Sequence, residues 1–137
     1  YDSESSTLIK INQKSNYFKK KNFYLDFFNK NKNRLKNTQV KIDSLENLIN
    51  IDEFKVIDLI KIDTEGYDFN VIKGLGNLIT KVRFIYFEHH FHDMLIKEYK
   101  FNDVDNFLKS KNFKKVFKTK MFFRKTFEYI YKNNSFN

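Results

Sequence analysis

The stretch Val56-Ile57-Asp58-Leu59-Ile60-Lys61-Ile62-Asp63-Thr64-Glu65-Gly66-Tyr67-Asp68 constrains the fold more than any other part of the chain. Eight residues of mostly β-branched and apolar character run into two acidic residues and a glycine, and a helical pattern starts directly afterwards. That order suits a buried parallel strand that delivers side chains to a crevice at its carboxyl end, where open α/β sheets hold their ligands. Alternation puts Ile57, Leu59, Lys61 and Asp63 on one face and Asp58, Ile60 and Ile62 on the other, so Lys61 and Asp63 are same-side neighbours roughly 7 Å apart. A charged pair is costly within a covered sheet but tolerable at a strand's last residues. Gly66 permits a positive φ or a close backbone approach. Beyond it Tyr67, Val71, Ile72 and Leu75 recur at helical spacing, with Gly74 or Gly76 to cap the end.

The elements around this unit follow the same alternation of strand and helix. Asp43 as N-cap, with Glu46 three residues on, predicts a capping box for a short helix through Ile49. Residues 81–88 predict a second strand, with Phe84, Tyr86 and Glu88 on one face and Arg83, Ile85 and Phe87 on the other. Two strands joined by one helix make a right-handed parallel βαβ unit. Residues 91–99 read as a helix with Met94, Leu95 and Tyr99 inward. Asn102 or Asp103 caps a further helix whose stripe is Val104, Phe107 and Leu108, ending at Asn112. Residues 113–121 and 126–131 read as an antiparallel strand pair that closes the sheet.

The unit 61–66, Lys-Ile-Asp-Thr-Glu-Gly, preceded by Ile57-Asp58-Leu59-Ile60 and followed by Val71-Ile72-Lys73-Gly74, resembles the K-I-D-x-E-G signature of FkbM-type S-adenosylmethionine-dependent methyltransferases. Asp43-Ser44-Leu45 is similar to that family's L-D-x-L segment, with Ile42 in the leucine's place. The resemblance covers about the last two-thirds of the chain. It implies an α/β fold: the C-terminal part of a Rossmann-like class I methyltransferase sheet, a parallel βαβ core closed by the antiparallel pair. In this reading 1–37 is a polar, aromatic-basic insert or edge region and 38–137 the C-terminal α/β core of a partial methyltransferase domain. The family holds its cofactor mainly through a glycine-rich loop after its first strand. The chain's three glycines, Gly66, Gly74 and Gly76, do not follow that pattern. The cofactor-loop half is therefore expected upstream, which agrees with a chain that begins at Tyr1, and the piece alone is expected to be inactive.

Composition narrows the partners. The 137 residues include no Cys, which excludes a disulfide framework and cysteine metal sites. A net charge of +9 raises the possibility of polyanion binding. Its lysines, however, are spread along the chain, Arg occurs only at positions 34, 83 and 124, and no nucleic-acid motif is present. Lys, Asn, Ile and Phe share A/T-rich codons, so a low-G+C genome accounts for the bias. Residues 17–28, with Tyr17-Phe18, Lys19-Lys20-Lys21 and Phe23-Tyr24, interleave aromatic and basic side chains as single-strand binders do. An insert or edge hairpin with solvated lysines is the plainer reading. Leu8, Ile9 and Ile11 offer at most one short strand, and 29–37 reads as a surface loop. No apolar stretch reaches ~20 residues and no signal peptide is seen. The expectation is a cytoplasmic protein that acts on a small-molecule acceptor, with neither nucleic acid nor membrane as partner.

Methyl transfer is an in-line displacement, so the protein must position an acceptor and, for a hydroxyl, supply a base. The resemblance makes Asp63, which faces the methyl group and acceptor in that fold, the first catalytic candidate and Glu65 the second. Asp63 and Gly66 are its candidates for contact with S-adenosylmethionine. Asp63 can equally be an acidic cap on the following helix. Glu88-His89-His90-Phe91-His92-Asp93 places all three histidines at the carboxyl end of the neighbouring strand, on the same rim as Asp63. His89 or His90 suits a general base, because an imidazole titrates near neutrality. Lys61, Glu88 and His92 are candidates for acceptor binding. A metal site built from these groups, or an ordinary hydrogen-bonded loop, are the alternatives. The leading function is O-methylation of a sugar or related metabolite, and the alternative is a non-catalytic basic module for an anionic partner such as nucleic acid.

Overall fold

A computed structural model describes residues 6–28 and 35–136, without the side chains of 25–28 and Ile51. Its regular elements are α1 (Asn16–Phe28), α2 (Leu45–Leu48), a 3-10 turn (Ile51–Glu53), β1 (Ile57–Ile62), α3 (Asp68–Lys73), a second 3-10 segment (Gly76–Lys81), β2 (Val82–His90), α4 (Phe101–Ser110), β3 (Phe113–Lys120) and β4 (Thr126–Asn133). The four strands form one mixed sheet in the order β1-β2-β4-β3. β1 and β2 run parallel, with Leu59 opposite Phe84 and Ile62 opposite Phe87. β4 returns antiparallel to both β2 and β3, so the C-terminal pair closes the sheet as the alternation of the tail predicts.

The core lies on one face of this sheet. Ile62, Ile85, Phe87, Tyr129 and Tyr131 point from the strands into a layer formed by Ile72 and Leu75, the 3-10 residues Leu78 and Ile79, and Val104 and Leu108 of α4. Phe87 stacks on both Tyr129 and Tyr131, at ring distances of 5.6 and 5.8 Å. α4 shows why this face is chosen: Val104 and Leu108, four residues apart, are its fully buried side chains. The opposite face is less covered. β1 is an edge strand whose Leu59 remains 54% exposed, so the strand is buried on one side and not on both.

Four expectations are corrected. Residues 17–28 form the helix α1 and not a hairpin. Ser15, itself buried, caps it by accepting the Phe18 N–H at 3.0 Å, and the Lys19-Lys20-Lys21 run lies on its exposed side. The capping box of Asp43 and Glu46 is not made. Ser44 stands at the N-cap of α2, Asp43 accepts from Ser44 and Asn47, and the Glu46 carboxylate instead accepts the Asn77 N–H at 2.8 Å. Gly76, at φ 51°, makes room for that carboxylate, whose Oε2 would lie 1.8 Å from an added Cβ. Residues 91–99 form no helix, although Met94 and Leu95 are buried as the spacing suggests. Their backbone is used sideways: Asn12 donates to the Met94 carbonyl, Ile96 donates to that of Lys10, and Ile11 bridges Leu95. α4, finally, has Lys100 at its N-cap, with Asp103 accepting the Lys100 N–H at 2.7 Å, so Asp103 lies inside the helix and not at its cap.

Candidate functional site

The turn after β1 is held by a residue that the strand pattern does not point to. Asp68, 1% exposed, accepts the Thr64 N–H and Thr64 hydroxyl on one carboxylate oxygen, each at 3.0 Å, and the Gly66 N–H on the other at 3.1 Å. Burial raises its pKa, against the lowering effect of these hydrogen bonds. The turn is tied down from outside as well. Thr7 donates its hydroxyl to the Glu65 carbonyl, and Tyr99 donates its phenol to the Gly66 carbonyl at 2.8 Å. Glu65 takes a left-handed conformation, φ 48°, and Gly66 follows at φ 96°. An added Cβ on Gly66 would lie 2.6 Å from Ile9 Cδ1. Both backbone polar groups of Gly66 are thus engaged within the protein, and its missing side chain serves close packing.

The strained turn directs Glu65 at the end of β2. That strand runs on to His90, so Tyr86, Glu88 and His90 share one face while Phe87 and His89 share the other. His90 Nε2 lies 3.3 Å from Glu65 Oε2 and 3.8 Å from Glu88 Oε2. The hydrogen bond from His90 is the main reason the Glu65 carboxyl sits below its ordinary pKa. Glu88 is moved upward, first by burial and then by the charge of Asp63. His89 points the other way, its ring edge-on to Phe91, Tyr99 and Phe101. Burial, helped by the Lys97 ammonium 3.5 Å from its Nε2, lowers the His89 pKa to about 3. Lys97, half-buried and lowered by desolvation to about 8, donates to the His90 carbonyl. His92 stacks on Tyr17 of α1 at 4.1 Å and 14°, and burial lowers it to about 4.

Of the residues the sequence singles out, Glu65, Glu88 and His90 come together, and His92 joins them with its ring 5.1 Å from that of His90. Asp63 stands on the rim, about half exposed and 3.6 Å from Lys61, and neither residue enters the buried cluster. His89 belongs to the opposite side. Asp68, Tyr17, Lys97 and Arg124 were not signalled as site residues. Only Asp68 carries a usable cue, an Asp two positions after a turn glycine. A cavity of about 190 Å³ opens over the cluster, lined by Tyr17, Lys21, Glu65, His90, His92, Met94, Arg124 and Thr126. A wider depression of about 380 Å³ adjoins it through His90 and His92, lined also by His89, Lys97, Tyr99 and Phe101. Among the described residues, no three His, Asp or Glu side chains are gathered so as to hold a metal ion.

A mixed α/β sheet whose two parallel strands end in carboxylate and imidazole groups defines the class of α/β domains that work at a strand-end crevice. Within that class, residues 2–115 match the family model of the methyltransferase FkbM domain. The chain belongs to that family and is a methyltransferase domain by descent. No curated protein and no solved structure gave a significant match. The family match begins well before the signature, so α1 lies within it, while most of β3 and all of β4 lie beyond. No helix among the described residues is long and apolar enough to cross a membrane.

Proposed function

We propose that the chain carries the acceptor side of an O-methyltransferase that uses S-adenosylmethionine, on a sheet that is the C-terminal part of a Rossmann-like fold. The observation that carries this reading is the Glu65–His90 pair. Glu65 is held as a carboxylate, so it accepts a proton-bearing Nε2 of His90. With the proton on Nε2 the lone pair lies on Nδ1, and that atom is buried without a hydrogen-bond partner. Because Nδ1 has almost no accessible surface, a small rotation of the ring or its neighbours must open it before an acceptor hydroxyl in the cavity can donate to it and give up its proton there as the oxygen attacks. Glu65 fixes the tautomer and stabilises the imidazolium that forms. Glu88 and His92 border the pair and orient the acceptor. Asp63, with Lys61, takes the solvent-facing rim, where it can meet cofactor or acceptor.

S-adenosylmethionine supplies an electrophilic methyl group. Asp63 offers an accessible carboxylate toward it, but a glycine-rich backbone cradle is not found among the described residues. Gly66 is packed against Ile9, Gly74 lies at the end of α3, and Gly76 accommodates Glu46. The described residues therefore do not form its cradle by themselves, and the base and acceptor site are what this chain contributes.

The test uses the complete enzyme with S-adenosylmethionine labelled in its methyl group and a panel of sugar acceptors. His90→Gln lowers turnover by about 10²–10⁴, the usual size of a general-base contribution, while cofactor affinity is kept. Full methyl transfer by His90→Gln refutes the assignment of the base.

A further inference from the structure

The acceptor cavity is walled by two cations that reach it from different elements. Lys21 approaches from α1 and Arg124 from the turn between β3 and β4, and both line the opening. Each is close enough to favour the charged form of the Glu65 carboxylate, yet neither makes an ion pair within 4 Å among the described residues. Of the charged groups lining this space, Glu65 offsets one of the two cations and is itself engaged by His90. Among the described residues lining the mouth, the two cations therefore outnumber the one carboxylate. The inner wall is different in kind: the Tyr17–His92 stack makes a flat surface, Thr126 lines it as well, and the Nδ1 atoms of His90 and His92 are buried without a hydrogen-bond partner. Both histidines are more than nine-tenths buried.

A flat aromatic wall fits a polyhydroxylated ring, and two cations lining the same opening fit an anionic substituent on that ring. We propose that the acceptor is an anionic sugar, bearing a single carboxylate or phosphate that Lys21 and Arg124 hold while a ring hydroxyl faces His90. This rests on the reading of the cavity as the acceptor site. Charge recognition also confers selectivity, since a neutral sugar leaves the two cations competing for Glu65 alone.

The experiment is an NMR titration of the full chain, following the imidazole resonances of His90 and His92, with glucuronate, glucose 6-phosphate, inorganic phosphate and neutral glucose as probes. Saturable shifts are expected with glucuronate or glucose 6-phosphate at concentrations at least about tenfold below those needed for glucose, weakening as salt is added. The better of the two identifies carboxylate or phosphate, and inorganic phosphate shows how much the anion contributes alone. Lys21→Gln and Arg124→Gln each weaken binding by about five- to tenfold, a loss of about 1–1.4 kcal/mol. Both side chains are exposed, so melting temperatures stay near the parent's. Equal binding of glucose, no binding of either anionic sugar, or undiminished affinity in the double variant overturns the proposal. The readout needs no turnover. Anion binding without methyl transfer would refute the catalytic reading alone, and transfer to neutral acceptors in preference would refute this one alone.

Discussion

Replacing Asp68 tests whether the turn that presents Glu65 is built as described. The buried carboxylate accepts three hydrogen bonds, from the Thr64 amide, the Thr64 hydroxyl and the Gly66 amide. Bonds to a charged acceptor contribute roughly 1.5–3 kcal/mol each before the cost of burying the charge is set against them. Burial raises the Asp68 pKa despite those bonds, so that cost is substantial and the net falls below the sum. Asp68→Ala should destabilise by about 3–4 kcal/mol, since it orphans two amides and a hydroxyl. For a chain of this length that corresponds to a fall in melting temperature of roughly 10–15 °C. Asp68→Asn keeps an oxygen for Thr64 but turns an N–H toward the Gly66 N–H, while removing the buried charge, and should lose roughly 1–2 kcal/mol. A carboxyl whose folded pKa is raised binds protons more tightly in the native state, so its linkage favours folding as pH falls toward that pKa. The margin of the parent over Asp68→Asn should therefore widen on acidification. Thermal melts of the three proteins from pH 7 down to pH 4 supply every number. An alanine variant melting within about 3 °C of the parent would refute the claim that Asp68 holds the turn.

The Glu65 linkage has the opposite sign. Its pKa is lowered by His90, so the stability it contributes is complete above the ordinary carboxylate value near 4.5 and is lost as pH falls through the lower folded value. The parent's advantage over Glu65→Gln should be present at pH 7 and vanish in acid; an advantage that grows on acidification contradicts the pairing. Gly66→Ala adds strain at φ 96° and a contact 2.6 Å from Ile9 Cδ1, and should shift the urea midpoint by an amount equivalent to about 1–3 kcal/mol. An unmoved midpoint would show that residues 9 and 95 yield freely. Truncation after Asn112 removes Tyr129 and Tyr131, which are almost wholly buried, and bares the β2 edge that β4 covers. Near-UV circular dichroism should lose its fixed aromatic signal, and a cooperative transition in the truncated chain would contradict the closing role of β3 and β4.

What could be read from the sequence, and what could not, divides by the range of the forces involved. α4 and β4 are legible because their burial follows a period of about 3.6 or of two along the chain itself, and β1, β2 and β3 because runs of β-branched and aromatic residues mark them as strands even where burial does not alternate. The helix expected at 91–99 failed for the converse reason. Met94 and Leu95 have the right spacing for a buried helical face, but their backbone partners, Asn12 and Ile11, lie more than 80 residues earlier in the chain. No local pattern records that competition. α1 was within reach, since Ser15 is a good N-cap, but the interleaved aromatics and lysines pointed to solvent and suggested a hairpin. The site shows the same division. That β1 and β2 should end on one rim followed from parallel pairing. Which histidine would face Glu65 depended on whether β2 ran past Glu88, and it does, by two residues. That extension is set by β4, whose Phe127 and Thr126 pair with His89 and His90. The C-terminal strand therefore bears on chemistry as well as on stability. By carrying β2 to its last residue it puts His90 on the Glu65 face and His89 on the core side, and a strand two residues shorter would leave both histidines to a loop.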